Sequence, residues 1–384
     1  MLSILIFIAV LGLLVFIHEL GHFLTAKFYG IHSEEFGFGF PPRLGGVYKD
    51  DTTGRYKLVW GNKPVPTNNT VYSLNWIPLG GFVKIKGEDG ITQTPEKDSF
   101  AEKSALVRIQ VTLAGVVMNL ILAWVLISIV FMLGLPQPID ESERVKYPDA
   151  RIQILSVAPN SPAANIGLQP GDIIESLDGQ TVTTLEQVGG HIRMQKGKDV
   201  AIEINRFGKE MTIHGTPRVE TIANEGALGI SYSFTATIKY SFFSAIGNAF
   251  VTTYTVTAAI LEAFAKLIGG LFGGEGGVGA DITGPVGIVY LTKQMSDLGL
   301  AYLLQFAALL SINLAIINIL PIPALDGGRI LFILIEKIKG RPLNQRVEGI
   351  IHQTGFMLLL LLMLFVTVKD FITFDIFGKL LNLF

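Results

Sequence analysis

The chain of 384 residues contains no cysteine, which excludes disulfides, thiol catalysis and thiolate metal sites. Charged residues make up only 16% of the sequence, against about 25% in ordinary soluble proteins, and 49% is hydrophobic. The net charge of -2 gives no basis for nucleic acid as a partner. Histidine is scarce, at six residues, so two histidines close together carry information. The composition indicates a multi-pass α-helical membrane protein with soluble insertions, in which any metal is held by His, Asp or Glu.

Four segments are apolar over the roughly 20 residues that a membrane-spanning helix needs. They lie at residues 1–28, 105–135, 284–340 and 352–376. We interpret the first as a retained helix rather than a signal peptide, because no basic residue precedes it and no small-residue cleavage pattern follows it. The third is interrupted at Pro321 and Pro323 before it resumes.

Two further stretches are predicted to lie at the membrane surface. Residues 29–104 contain short alternating runs, such as Tyr56–Trp60, that predict a small membrane-associated β-sheet. Residues 238–283 mix apolar and polar side chains, which favours amphipathic surface helices over a fifth span. The glycine-rich run Gly269–Gly279 lacks the lysine of a phosphate-binding loop and is interpreted as a flexible connector.

Basic residues beside the predicted spans fix an orientation. They border the loop between spans one and two and the loop between spans three and four, at Lys27, Lys103, Arg108, Lys337, Lys339, Arg341 and Arg346. With four spans these two loops lie on the same side of the membrane, and an excess of basic residues marks the cytoplasmic side. The sequence therefore predicts that both termini and the long middle region lie outside the cytoplasm.

The first span contains the sequence His18-Glu19-Leu20-Gly21-His22, an H-E-x-x-H pattern. The spacing of four residues puts both imidazoles on one helix face, where they can share a metal ion, and Glu19 can deprotonate a water beside it. The alternative is two satisfied histidines in a packed helix. Because polar side chains inside a membrane span are costly and rarely idle, the metal-site interpretation is favoured.

A catalytic zinc takes three protein ligands and keeps one open position. The acid that suits the third position is Asp326, which follows the interruption of the third span. Taken alone, Asp326 before two glycines could equally be a helix N-cap. Depth favours the ligand: counted at about 1.5 Å per residue from the flanking lysines, His22 and Asp326 lie roughly 8 and 16 Å from the boundary. His18 falls between them at about 14 Å, so the three side chains can meet at one level.

These motifs resemble the site-2 protease family of intramembrane zinc metalloproteases, of the bacterial regulator of sigma-E protease (RseP) type. The resemblance covers nearly the whole chain. It is carried by His18–His22 and by the run Asn313 to Asn318 followed by Pro321-Ile-Pro-Ala-Leu-Asp326-Gly. Supporting motifs are Phe36–Phe40, Pro78–Lys84, Gly284–Ile288 and Ala114-Gly115 with Asn119.

The resemblance implies one zinc ion per chain, held by His18, His22 and Asp326, with Glu19 as the general base. It implies hydrolysis of peptide bonds in or near the transmembrane helices of single-pass membrane proteins, such as anti-sigma-factor-like substrates or signal-peptide remnants. It also implies a multi-pass protein of the bacterial inner membrane, with the active site toward the cytoplasm. In this family a membrane-dipping hairpin and strand edge hold the substrate extended, and the stretch with Gly81 and Phe82 resembles that edge.

Asn119 and Asn313 could hydrogen-bond the backbone of an unwound substrate, or they could join helices within the bundle. Two other classes of protein stay open. A non-catalytic membrane adaptor would not need Glu19 between the histidines, and a metal transporter would be expected to contain an internal repeat, of which the sequence has no trace.

Residues 150–233 resemble a permuted bacterial PDZ domain, on the motifs Asn160–Ala163, Pro170–Ile174 and Asp178-Gly179. Relatives of the RseP type carry two such domains, and this chain has room for one. A PDZ domain can bind a chain end by strand addition. The glycine-rich loop expected before Ile152 is not evident, and the nearest match is Gly226–Ile230. A steric filter limiting access to the membrane site is therefore favoured over peptide capture.

Overall fold

The computed structural model describes residues 2–88, 96–158, 161–206, 208–220, 226–273, 284–341 and 343–373. The chain forms two compact units, one of Met1–Val130 with Phe242–Phe384 and the other of Phe131–Ser241. Part of the predicted connector, residues 274–279, lies outside the described residues, as do Asn160 of the PDZ motif and residues 374–376 of the last predicted span.

Long apolar runs form the longest helices. In chain order the α-helices are α1 (Leu2–Phe28), α2 (Ala105–Leu133), α3 (Pro162–Asn165), α4 (Leu185–Met194), α5 (Phe242–Gly273), α6 (Pro285–Leu298), α7 (Leu300–Ile319), α8 (Asp326–Lys339) and α9 (Gln345–Thr373). The strands are β1 (Ser33–Lys49), β2 (Tyr56–Trp60), β3 (Val71–Ile85), β4 (Leu135–Ile139), β5 (Arg151–Val157), β6 (Ile173–Leu177), β7 (Gln180–Thr181), β8 (Val200–Arg206), β9 (Lys209–Gly215) and β10 (Ile230–Ile238).

Within the described ranges, five helices are long and apolar enough to cross a membrane: α1, α2, α7, α9 and the part of α5 at Phe242–Lys266. The first four match the predicted spans. The expected surface helices form the single helix α5, which packs against α2 through a hydrogen bond from Trp124 Nε1 to Ile246 O of 2.9 Å. The number of membrane crossings stays a prediction, which a measurement of membrane topology can decide.

The third predicted span is three helices rather than one broken helix. α6 and α7 meet at Gly299, and α7 ends at Ile319, before the two prolines. The chain then turns sharply, with Ala324 in the left-handed region at φ +78°. Only glycine fits after this turn, because a Cβ on Gly327 would stand 2.2 Å from the carbonyl oxygen of Leu320. α8 resumes at Asp326, so the break carries the predicted ligand.

The first unit contains the predicted small sheet, with strand order β2-β1-β3. Both β1 and β3 bend, and the second half of β3, residues 81–85, pairs with β1 residues 33–38. Its other edge is unpaired by any strand in the described part of the chain. A Cβ on Gly80 would lie 2.4 Å from Val15 Cβ, so glycine lets β3 lie directly on α1. The sheet thus places an open strand edge beside the helix of the H-E-x-x-H pattern.

The second unit is a β-sheet of order β4-β10-β5-β6-β8-β9, with β7 paired to β6. The helix α4 has a complete capping box between Thr184 and Gln187, as its sequence favours. Alternating apolar residues of β5, β6 and β8 form its core, with Ile154, Leu177 and Ile202 almost fully buried. The sheet extends beyond the predicted limits of 150–233 at both ends, through β4 and the end of β10.

Candidate metal centre

The two histidines of α1 face one another across one helical turn. Their Nε2 atoms are 3.1 Å apart, and both residues are buried, at 6% and 8% exposure. Asp326, at the start of α8, directs Oδ2 toward both imidazoles, 3.0 Å from His18 Nε2 and 3.5 Å from His22 Nε2. The fold therefore brings together the three residues predicted as ligands, although Asp326 lies more than 300 residues from both histidines along the chain.

These three separations suit a single zinc ion. Zinc bonds of about 2.0 to 2.1 Å in tetrahedral geometry put two ligand atoms about 3.3 to 3.4 Å apart. The observed 3.0, 3.1 and 3.5 Å lie on either side of that value. Two neutral imidazoles and one carboxylate are also a donor set that zinc accepts. The residues present fit the metal, with the fourth position left for water or substrate.

The outer nitrogens of both imidazoles have polar neighbours on α2. His22 Nδ1 lies 2.8 Å from the carbonyl oxygen of Val111, so it donates there and leaves Nε2 as the metal-facing lone pair. His18 Nδ1 lies 3.3 Å from Asn119 Nδ2, while Asn119 Oδ1 is buried without a partner among the described residues. When Oδ1 and Nδ2 of Asn119 exchange places, Oδ1 can accept a hydrogen bond from His18 Nδ1–H. Both contacts then hold their histidines in the metal-binding tautomer.

Glycines allow α1 and α2 to approach this closely. A Cβ on Gly115 would lie 2.5 Å from His22 Nε2 and 2.6 Å from His18 Cε1. A Cβ on Gly21 would lie 2.4 Å from the carbonyl oxygen of Ala114. Close helix packing at small residues is typical of membrane bundles. The backbone of α2 therefore forms one wall of the site.

Asp326 is not a helix cap. The N-cap of α8 is Leu325, and no side chain caps the helix by a hydrogen bond. The preceding turn is held instead by α9, because the Ala324 N–H donates to His352 Nδ1 at 2.8 Å. The local alternative considered from the sequence therefore fails, and the carboxylate of Asp326 is free to face the imidazoles.

Glu19 lies beside the two histidines. One of its carboxylate oxygens and one nitrogen of each imidazole all lie within 4.8 Å of one another. Its Oε2 accepts a hydrogen bond of 3.1 Å from the N–H of Val83, on the open edge of β3. Asp326 Oδ2 is the nearer carboxylate to both imidazole nitrogens, so Glu19 suits the role of base better than that of ligand.

The four predicted substrate contacts have different surroundings. Gly81 is on β3 two residues before Val83, so its backbone groups share the open edge, whereas those of Phe82 face β1. Asn119 is fully buried against His18, and its carbonyl accepts from Ser311 Oγ, which fits positioning of the ligand better than contact with substrate. Asn313 has no side-chain hydrogen bond within the described ranges.

The profile of peptidase family M50 matches residues 6–362. The chain belongs to peptidase family M50. Zinc metalloprotease RasP of Geobacillus kaustophilus is 30% identical over 447 aligned positions, which cover 96% of this chain and 97% of the relative. The regulator of sigma-W protease RasP of Bacillus subtilis is 30% identical over 447 positions, covering 96% and 98%.

This membership confirms the predicted resemblance, the assignment as a zinc metalloprotease of the site-2 type, and zinc as the cofactor. Among solved structures, the PDZ domain of an SdrC-like protein from Listeria innocua is 26% identical, covering 21% of this chain and 92% of that chain with a TM-score of 0.20.

Sequence reasoning missed several neighbours of the site. Asn318 Nδ2 lies 3.4 Å from His18 Nε2, and only its place in the family motif pointed to it. Val83 and Gly115 stand in the supporting motifs Pro78–Lys84 and Ala114-Gly115 without an assigned role, and His352 stands in none. All three reach the site by tertiary contact. No local pattern in the sequence reports contacts of this kind.

Proposed function

We propose that the protein hydrolyses peptide bonds in or next to transmembrane helices of single-pass membrane proteins, with His18, His22 and Asp326 as zinc ligands and Glu19 as the base. One observation carries the proposal: three candidate ligand atoms 3.0 to 3.5 Å apart, with the carboxylate of Glu19 beside them, of which both imidazoles and Glu19 lie on the long apolar helix α1. Such a polar cluster at membrane depth is costly and indicates function. The substrate is a membrane protein because the site lies among the membrane helices.

Zinc at this site would supply a Lewis acid for the scissile carbonyl. Glu19 takes a proton from the attacking water and passes it to the leaving amine. Asn318, whose Nδ2 lies 3.4 Å from His18 Nε2, can donate a hydrogen bond to an oxygen that carries developing charge. Each role belongs to a residue of α1 or α7 whose position the helix fixes.

A helical substrate hides its carbonyls in its own hydrogen bonds, so it must be held extended. The open edge of β3 supports this step, because the outward backbone groups of Gly81 and Val83 can pair with an added strand. The N–H of Val83 is bonded to Glu19 Oε2 in this structure. A substrate strand whose carbonyl accepts the hydrogen bond from Val83 N–H also frees the carboxylate of Glu19 to accept a proton from the attacking water.

The proposed topology has the active site toward the cytoplasm and residues 150–233 outside. An ion pair of 2.7 Å between Arg108 and Glu336 joins the start of α2 to the end of α8, which supports one side for both basic loops. At the other side, Asp370 near the end of α9 accepts from the N–H groups of Gly284 and Gly287 at 3.1 and 2.8 Å. Both contacts favour a chain that crosses the membrane four times, with α5 beginning and ending on the same side.

Capture of a chain end is the better-supported role for the PDZ domain, against the filter favoured from the sequence. The segment Gly226–Ile230 leads into β10, which begins at Ile230, and lines a cavity of about 270 Å³ with residues of α4. Residues 230–233 of β10 pair with β5 on one edge, while β4 pairs only from Phe234 onward. The glycine-containing loop expected early in the domain is thus supplied by its end.

The substitution Glu19→Gln tests the proposed chemistry. It keeps the shape of the side chain and its contact with Val83 but removes the base, so we expect zinc to be retained and cleavage of a single-span substrate to be lost. A non-catalytic adaptor would bind little zinc before and after the change. A transporter would keep moving metal. The name of the Bacillus relative, a regulator of sigma-W protease, makes anti-sigma-factor-like proteins the first substrates to test.

A further inference from the structure

A second polar cavity lies away from the zinc ligands, at the carboxyl end of α1. Its volume is about 450 Å³. It is enclosed by the turn from α1 to β1, the end of β1, the start of β2 and the chain near Asp98. Its polar walls include Lys27, His32, Ser33, Lys49 and Asp98.

The cavity carries an excess of positive charge. Among the described residues, neither Lys27 nor Lys49 has a carboxylate within ion-pair distance. The carboxylate in the wall, Asp98, is matched by Lys86 Nζ at 3.1 and 3.2 Å, and this hydrogen-bonded lysine lowers the pKa of Asp98. Lys86 is shared with Glu96, so about one net negative charge stands against two lysines that have no carboxylate partner among the described residues. An anion is the ligand that this balance favours.

Ser33 gives a second, independent indication of a ligand. The residue is only 3% exposed, and its Oγ has no hydrogen-bond partner within the described ranges. A buried hydroxyl without a partner is unfavourable, so natural structures rarely keep one. Because Ser33 lines the same cavity as the two lysines and His32, an oxygen-rich ligand there could accept its hydrogen bond.

We propose that this cavity binds a phosphate group. Lysine binds phosphate as a point charge, and a buried serine hydroxyl adds a directed donor. The headgroup of an anionic phospholipid and free phosphate share this chemistry. The lipid is the expected source, because the cavity adjoins the end of a membrane helix and Phe23, Tyr56 and Tyr72 lie in its wall. Aromatic residues of this kind concentrate at the level of lipid headgroups.

A bound headgroup would fix the depth of the β-sheet in the membrane surface. Ser33 begins β1, and β1 pairs with residues 81–85 of β3, the strand that reaches Glu19. The phosphate site would therefore affect the substrate-binding edge of β3, although it has no contact with the zinc ligands.

The test measures phospholipid retained by the purified full-length protein after transfer from vesicles of phosphatidylglycerol and phosphatidylcholine, by mass spectrometry under non-denaturing conditions. Lys27→Gln and Lys49→Gln should each weaken retention of phosphatidylglycerol about fivefold, the effect of one lysine near an anionic surface. Ser33→Ala should weaken it as well, although it removes only one buried oxygen. Lys97→Gln, the same loss of charge beside Asp98 but outside the cavity, is the matched control.

Inorganic phosphate, titrated in detergent without phospholipid, distinguishes the two sources. Saturable phosphate binding that Ser33→Ala weakens, with no retained lipid, assigns the site to free phosphate. Equal retention in Ser33→Ala, Lys27→Gln and Lys97→Gln, with no phosphate binding, overturns the proposal. Zinc content is measured in every variant and should stay at the unsubstituted level, so a failure here is separate from a failure of the protease assignment.

Discussion

Replacing Gly115 by alanine should disrupt the zinc site through a single methyl group. Gly115 lies on α2, outside the H-E-x-x-H pattern and apart from Asp326. The added Cβ would stand 2.5 Å from His22 Nε2, about 0.9 Å short of the 3.4 Å at which ordinary contact begins. It would also lie 2.6 Å from His18 Cε1, so neither imidazole can yield without moving the other.

The size of the effect follows from this overlap. Overpacking of a well-packed site costs about 1 to 3 kcal/mol. Displacing a reacting group by about 1 Å can cost roughly 100-fold in rate. We therefore expect Gly115→Ala to lower cleavage about 100-fold and to speed the loss of zinc to a chelator, while the protein stays folded in detergent.

Gly12→Ala is the control for this experiment. Gly12 is also buried and helical, but its added Cβ would meet nothing nearer than 3.7 Å. This variant should keep its activity, zinc content and melting temperature. Normal zinc retention and normal cleavage in Gly115→Ala would refute the close packing of α2 on the imidazoles.

Three further predictions follow from other parts of the structure. His352→Ala leaves the Ala324 N–H without its acceptor and should speed zinc loss about tenfold. His352→Asn restores an acceptor and should bring the rate of zinc loss most of the way back. Equal rates of zinc loss in the two variants would count against this contact. In intact cells an impermeant thiol reagent should label Lys198→Cys and spare Asn344→Cys, and the reverse result means an inverted topology. Deleting residues 150–233 should keep the zinc and slow cleavage of a substrate whose chain end binds the domain. If that substrate is cleaved at its usual rate and substrates with longer ectodomains are cleaved faster, the filter is favoured instead.

The clustering of His18, His22 and Asp326 could be predicted because its signals are local or tied to depth. The spacing of His18 and His22 is a property of any α-helix, and the break before Asp326 marks a chain that must be buried or line a cavity. The helices α1, α2 and α9 could be predicted for a similar reason, since length and apolarity alone define a candidate span.

The remaining features depend on contacts that no local pattern encodes. Gly115 and His352 matter only because α2 and α9 approach the site, and Val83 only because β3 lies on α1. The separation of α6 from α7 within the third predicted span depends on the turn at Gly299, a glycine with φ +116°. In the second unit, the glycine-containing segment 226–230 leads into β10, near the end of the domain, rather than lying before β5.

Zinc K-edge X-ray absorption on the purified protein and on Asp326→Ala tests whether His18, His22 and Asp326 hold the metal. We expect one zinc per chain in the unsubstituted protein, in a shell of nitrogen and oxygen atoms at about 2.0 to 2.1 Å with two imidazoles and no sulfur. Asp326→Ala should lose most of this zinc, since two histidines on one helix hold it weakly without the carboxylate. Full zinc occupancy with an unchanged shell in Asp326→Ala would contradict the assignment of the three ligands.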